Sequence, residues 1–235
     1  GEAPCMTRRR RTLRKLLGDV YPVDSSGDLE ELSSQLLQSF YPSGNGDTPE
    51  ARPSLWSGGD AVLITYADAV VDAGRSGLQS LRSLVNRHLT DFAAVIHVLP
   101  FLKSTSDGGF AVASYEQLEE RHGDWNDLSA LAEGRRLMAD LVLNHVSASH
   151  PWVRQFLRRE DPGQSCVLEA APDPCWSDVV RPRSTALFTQ LGPPNAKRQV
   201  WTTFGPDQVD LNWRSPDVLI GFADLLRRMS SHGVR

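Results

Sequence analysis

The spacing of apolar residues changes near residue 60, and the kind of element the chain can form changes with it. Before that point Leu29, Leu32, Leu36, Leu37 and Phe40 recur at helical spacing behind Ser26 and Asp28, which predicts a short amphipathic helix. A Pro/Gly/Ser/Asn run from Pro42 to Pro53 then breaks the pattern and reads as a linker. From Ala61 to Tyr66 the residues are apolar and β-rich, and Leu78, Leu81, Leu84, Val85 and Leu89 follow on one helical face. Phe92–Leu99 forms a second buried-strand pattern closed by Pro100. A helix predicted over residues 125–136, capped by Asn126 or Asp127, leads into a third strand over Leu137–Leu143.

Strands that alternate with helices in this way predict right-handed βαβ units and a parallel sheet. No G-x-G-x-x-G follows the first strand, and polar residues gather after every strand. The fold class is therefore α/β, read as the first half of a TIM (β/α)8 barrel, strands 1–3 with their helices, rather than a dinucleotide fold. From Ser147 to Trp213 the alternation stops. Prolines and Trp152, Trp176 and Trp201 gather there, which predicts a lid or small subdomain inserted after strand 3. Val218, Phe222, Leu225, Leu226 and Met229 then form another apolar face, with Pro216 at its start and Gly233 as a stop. The domain reading is an N-terminal helical arm and linker over 1–58 and a partial barrel over 59–235, with 147–213 as a B-domain-like insertion. A fourth strand would begin where the sequence ends.

Composition narrows the function classes. At 235 residues and 40% hydrophobic, the chain can bury a large core. No apolar run reaches the roughly 18 residues of a membrane span, and no signal peptide opens the chain, so a soluble, cytoplasmic protein with no membrane partner is expected. The net charge of −4 gives no reason for a nucleic-acid partner. The local basic cluster of Arg8 to Arg11, Arg14 and Lys15 reads as a solvated arm. Three cysteines, Cys5, Cys166 and Cys175, have no CxxC spacing and predict neither a disulfide framework nor a zinc site.

Four polar groups fall where a barrel would expose them. Asp107-Gly108-Gly109-Phe110 is either an ordinary turn with an aromatic plug or a device that presents Asp107 and Phe110. Asn144-His145 ends the third strand, where a lone histidine is more often a hydrogen-bonded structural group than a ligand. Arg181-Pro182-Arg183 is surface charge or a stiffened pair of guanidinium forks suited to oxyanions. Gln208-Val209-Asp210-Leu211-Asn212 would pass for a capped turn.

Their joint order is more specific. Ile64-Thr65-Tyr66-Ala67-Asp68, His97-Val98-Leu99-Pro100-Phe101, the Asp107–Phe110 turn, Asp140-x-x-x-Asn144-His145, Arg181-Pro182-Arg183 and Gln208–Asn212 resemble the α-amylase superfamily. Within it they resemble the sugar phosphorylase branch of sucrose phosphorylase and glucosylglycerate phosphorylase, with a lean toward the glucosylglycerate type. The resemblance covers residues 61–235. It implies that Asp107 and His145 bind hydroxyls of the donor glucosyl ring and that Phe110 forms an apolar wall beside it. Arg183 would bind phosphate or the leaving acceptor, and Gln208 would line the acceptor side. The implied reaction is a retaining double displacement that yields α-glucose 1-phosphate, with a small glucosyl donor and inorganic phosphate as partners and with no cofactor or metal. A homodimer is one state open to the full-length protein. The nucleophile and the general acid would lie beyond Arg235, so no catalytic residue is assigned, Asp140 is read as structural, and the chain alone is expected to be inactive. The alternatives are a fragment of a hydrolase or transglucosidase of the same superfamily, or a non-catalytic sugar-binding or interaction protein.

Overall fold

The computed structural model describes residues 4–21, 26–41, 61–171 except 91 and 93, and 176–235 except 177 and 182. The linker expected over 42–53, Cys175 and Pro182 lie outside these residues. The chain divides into two compact units, residues 1–59 with 213–229, and residues 60–212 with 230–235.

The first unit is helical. Helices α1 (Pro4–Val20) and α2 (Ser26–Phe40) pack with the first part of α7 (Pro216–Ser231) through Leu17, Tyr21, Leu32, Leu36 and Ala223. The predicted helix behind Ser26 is α2. Helix α1 was not predicted, because its arginines interrupt the apolar positions Met6, Leu13 and Leu17 that share one face. Arg10 and Arg14 pair with Glu30 of α2 at 3.6 and 3.3 Å, so part of the basic cluster serves the packing of this unit. In α7, Pro216 takes the first helical position and Val218, Phe222, Leu225 and Met229 are buried.

The second unit is built on a parallel sheet of β1 (Val62–Thr65), β2 (Val95–Val98) and β3 (Arg136–Ala139), paired in that order. Ile96 pairs with Leu63 on one side and Leu137 on the other. On the far side of β3, Val234 makes a parallel bridge to Leu137, and the amide of Arg235 donates to the Leu137 carbonyl at 2.9 Å. The spatial order therefore follows the sequence order without the reversal of a doubly wound sheet, which is the order of a partial TIM barrel. Two of the strands are shorter than their apolar runs. Strand β3 stops at Ala139 because its partner β2 ends just before Pro100, which has no N–H to continue the ladder. Phe92 lies in a turn in which its amide donates to the Leu89 carbonyl.

Helices α3 (Gly77–His88) and α4 (Trp125–Leu131) connect the strands. The cap of α4 is Asp124, earlier than the predicted Asn126 or Asp127. Its carboxylate accepts from the amides of both, at 2.8 and 2.9 Å, while Asp127 reaches back to the Asp124 amide. Asp127 also accepts from Ser76 and Gln79 at the start of α3, which joins the two helix N-termini.

Beyond the sheet come β4 (His145–Val146), α5 (Pro151–Arg158), α6 (Gly163–Cys166), the antiparallel pair β5 (Phe188–Leu191) and β6 (Arg198–Trp201), and β7 (Val209–Asp210). Strand β7 returns antiparallel to β4, with His145 opposite Asp210. Buried Val153, Phe156, Cys166, Val200, Val209 and Leu211 form the local core. Among the described residues no helix is long and apolar enough to cross a membrane.

Helix α5 carries a pH prediction. His150 caps it, accepting from the Trp152 amide at 3.2 Å, and its ring packs edge-on against Tyr115 and Trp152. Burial first, and Arg154 second, hold its pKa down to about 4 from 6.5. The folded chain thus binds this proton less tightly than the unfolded one. Stability is present in full above pH 6.5 and is lost as pH falls toward 4, by roughly 3 kcal/mol at most. Urea midpoints at pH 7.5 and 4.5 should fall further for the native chain than for His150→Asn, which keeps a neutral cap.

Candidate functional site

After β2 the chain turns through Asp107, Gly108 and Gly109, all at positive φ of 55°, 60° and 105°. Asp107 is there a strained residue of the kind that persists only when its surroundings fix it. Gly109 fixes one side. A Cβ on it would lie 2.6 Å from the Pro100 carbonyl oxygen, whereas one on Gly108 would meet only the Tyr66 hydroxyl at 3.4 Å. Gly109→Ala should therefore cost about 2 kcal/mol or more in a urea titration, and Gly108→Ala less.

A second turn, Gly205 to Gln208, is closed by the Gln208 amide donating to the Gly205 carbonyl at 2.9 Å. It carries the buried Gln208 side chain inward, where its Nε2 donates to Asp107 Oδ2 at 2.8 Å and stands 3.1 Å from His145 Nε2. Only a neutral imidazole with its proton on Nδ1 can accept from that amide. The carbonyl of Phe110 is the backbone partner of the ring. Burial pushes the His145 pKa down, against Asp210, the Phe110 backbone and Asp107, which pull it up. Imidazole and amide are both nearly inaccessible to solvent. The ring of Phe204 lies 5.1 Å from that of His145 at a 50° tilt.

Behind His145, Asp210 is buried and fully occupied. Asn144 donates to its Oδ1 at 3.0 Å, the Thr203 amide to the same oxygen at 3.3 Å, and the Thr203 hydroxyl to Oδ2. Burial raises its pKa, and hydrogen bonds from Thr203, the charge of His145 and a bond from Asn144 oppose the rise. Arg181 joins this network through the Thr203 carbonyl at 3.0 Å and Thr185 at 3.3 Å. Among the described residues no group of three or more His, Cys, Asp or Glu side chains could hold a metal ion.

The site residues named from sequence meet in part. Asp107, His145 and Gln208 are directly linked, and the Phe110 backbone joins them. Gln208 was expected on the acceptor side; in the structure its amide connects Asp107 with His145. Arg183 is exposed and makes no hydrogen bond or ion pair among the described residues, while Arg181 is the member of its pair tied to the site. Asp140, just past the end of β3, accepts from His97 Nε2 of β2 at 3.0 Å. Thr203, Phe204 and Asp207 carry no sequence pattern of their own that marks them as site residues. Only their position just before Gln208 could have drawn attention to them.

The arrangement offers a carboxylate, an amide and a neutral imidazole beside aromatic rings, at the carboxyl ends of parallel strands. It can pair the hydroxyls of a polyol.

Comparison with known proteins agrees with this chemistry. The family model described as alpha amylase, catalytic domain, matches residues 92–235. The glucosylglycerate phosphorylase of Allomeiothermus silvanus is 39% identical over 220 residues, an alignment that covers 92% of this chain and 38% of that protein. The glucosylglycerate phosphorylase of Spirochaeta thermophila is 34% identical over 229 residues, covering 95% of this chain and 38% of that one. Among solved structures, sucrose 6F-phosphate phosphorylase from Thermoanaerobacter thermosaccharolyticum superposes with a TM-score of 0.70 at 25% identity, over 77% of this chain and 39% of that one. The chain spans less than two fifths of the length of these two curated relatives.

Proposed function

Because the chain belongs to the α-amylase family, and its curated relatives are sugar phosphorylases, we propose that it is the glucosyl-binding part of a retaining α-glucoside phosphorylase. The observation that carries this reading is the Gln208 amide held between Asp107 and His145. Asp107 has a second oxygen and Gln208 an amide oxygen to offer a pyranose, and a hydroxyl that displaces the Gln208 amide would reach the imidazole. Asp107 and His145 bind hydroxyls of the glucosyl ring, and Phe110 and Phe204 supply apolar surface for its face. Gln208 orients both polar groups as well as lining the site. We take glucosylglycerate as the donor, on the identities of the relatives, and inorganic phosphate as the second substrate. Arg183, exposed on the segment that Arg181 anchors, would meet the phosphate or the glycerate carboxylate.

The reaction splits into two displacements at the anomeric carbon. A carboxylate attacks as the glycerate oxygen leaves with a proton from a carboxylic acid, and phosphate then displaces the carboxylate, giving α-glucose 1-phosphate. We assign neither carboxyl group to residues of this chain. Asp140 is occupied by His97, and Asp210 by Asn144 and Thr203. Turnover is the property of a polypeptide that carries the whole barrel, and the 147–213 stretch is its insertion after strand 3.

The test is to supply glucosylglycerate with and without phosphate to such a polypeptide, and to this chain alone. Phosphate-dependent release of glucose 1-phosphate by the first is expected. Equal consumption of donor without phosphate would make the protein a hydrolase and overturn the reading.

A further inference from the structure

One carboxylate outside the glucosyl site is bonded to all three segments that build it. Asp207 Oδ2 accepts from the hydroxyls of Thr105 and Ser106, both at 2.6 Å, and Oδ1 accepts from the Ser147 hydroxyl at 3.1 Å and the Ala148 amide at 3.0 Å. The Ser147 hydroxyl lies within hydrogen-bond distance of those of Thr105 and Ser149. The Ser147 and Ser149 oxygens lie 2.9 Å apart, and those of Thr105 and Ser147 2.6 Å apart; with Thr105 donating to Asp207, the single Ser147 proton goes either to Thr105 or to Asp207 Oδ1, and Ser149 can donate to Ser147 in both cases.

The partners are neighbours in sequence of the groups that would touch sugar. Ser106 precedes Asp107, Ser147 lies two residues after His145, and Asp207 itself precedes Gln208. Two adjacent residues on one turn are thus cross-linked to two on the other, Ser106 to Asp207 and Asp107 to Gln208. Asp107 is held at φ 55°, a conformation its own backbone disfavours. Gly109 against Pro100 restrains the turn after it, and Asp207 restrains it before. Burial pushes the Asp207 pKa up, but the bonds from Ser106, Thr105, Ala148 and Ser147 together outweigh burial and hold it below the ordinary carboxylate value.

We propose that Asp207 is a positioning residue of the glucosyl site, whose single carboxylate sets the Asp107, His145 and Gln208 segments at one mutual spacing. This rests on the phosphorylase reading for its kinetic consequence but not for its structural one. Asp207 acts through Asp107 and Gln208, so removing it misplaces both by a fraction of an ångström to an ångström. A misplacement of that size costs roughly 10²-fold in rate.

The experiment has two arms. In the first, amide hydrogen exchange of residues 105–111 and 147–148 is followed in the native 235-residue chain and in Asp207→Ala and Asp207→Glu. Faster exchange in the alanine variant, with at least partial recovery of protection in the glutamate variant, is expected; unchanged exchange in the alanine variant overturns the proposal. In the second, Asp207→Ala, Gln208→Ala and the double variant are assayed for phosphorolysis in the polypeptide that carries the whole barrel. The singles should each lose roughly 10²-fold in kcat/KM and the double little more, because both act on one constellation. Multiplicative losses would leave Asp207 a merely structural residue and overturn the proposal. If the native polypeptide releases no glucose 1-phosphate, the phosphorylase reading fails, and the exchange arm alone decides the positioning claim.

Discussion

Asp107→Asn in the polypeptide that carries the whole barrel should lower kcat/KM for the glucosyl donor by roughly 10²-fold while leaving the urea midpoint almost unchanged. Asparagine is the informative replacement because it tolerates the positive φ of 55° that residue 107 adopts, so the backbone strain is not increased. What changes is the chemistry. The carboxylate accepts from Gln208 Nε2 at 2.8 Å and would accept from sugar hydroxyls, and hydrogen bonds to a charged group contribute roughly 1.5 to 3 kcal/mol each. An amide nitrogen facing Gln208 opposes donor to donor; with its oxygen turned to Gln208, it offers the sugar a donor where an acceptor was. The upper end of that range is about the predicted loss in rate, and it should fall on kcat as well as KM if the bonds tighten in the transition state. Steady-state kinetics with saturating phosphate would measure it. A loss under threefold would remove Asp107 from the glucosyl site.

How far the site could be read in advance depended on whether its parts leave a local trace. Asp107, Phe110, His145 and Gln208 do, because each lies beside a turn or strand end that the alternation of apolar runs and breakers marks. The order of those segments along the chain then suffices to suggest one constellation. The links between them leave none. Gln208 contacts Asp107 across 101 positions and His145 across 63, and a glutamine amide that serves two partners at once looks in sequence like any glutamine. Asp207 is the sharper case, since every donor it accepts from is a serine, threonine or backbone amide 59 or more residues away.

The fold follows the same division. The three parallel strands and their crossover helices were legible from periodicity, and their lengths were not. Where β2 stops is decided by Pro100, and β3 must then stop with it although Leu141, Val142 and Leu143 continue the apolar run. Exposure shows the cost of reading such runs as uniformly buried. Ile64 in β1 is 61% exposed, whereas Ile96 at the middle of the sheet is fully buried. A strand covered on one side only and a central strand can share one composition.

Arg198→Ala should destabilise the second unit by about 3 kcal/mol, a loss of the size expected from truncating a buried core side chain. Arg198 lies on β6 with its side chain 10% exposed. Its Nε and Nη2 donate to Glu169 at 2.8 and 2.6 Å, a bidentate pair, while Nη1 donates to the Phe156 carbonyl at the end of α5 and to Gln164 in α6 at 3.0 Å. The guanidinium also stands 3.5 Å from the centroid of the Phe156 ring. One planar cation therefore joins β6, both short helices and residue 169. Glu169 is 46% exposed and would rehydrate in the variant, so the carboxylate pair contributes the smaller share. Gln164 is exposed and would rehydrate as well, so the larger share is the Phe156 carbonyl left without its donor, together with the lost stacking. Arg198→Lys should recover little, since an ammonium cannot reach three acceptors in one plane. The Arg198 hydrogen bond is the foremost cause holding the Glu169 pKa down, with burial opposing it. The pair's contribution is therefore present above the unfolded carboxylate value and lost as pH falls through the folded one. Thermal unfolding at pH 7 should show a drop of roughly 6 to 12 °C in Tm for the alanine variant, with the difference from native narrowing below pH 4. A drop under 2 °C would mean that the apolar contacts of Phe156 and Val153 hold these elements without the arginine.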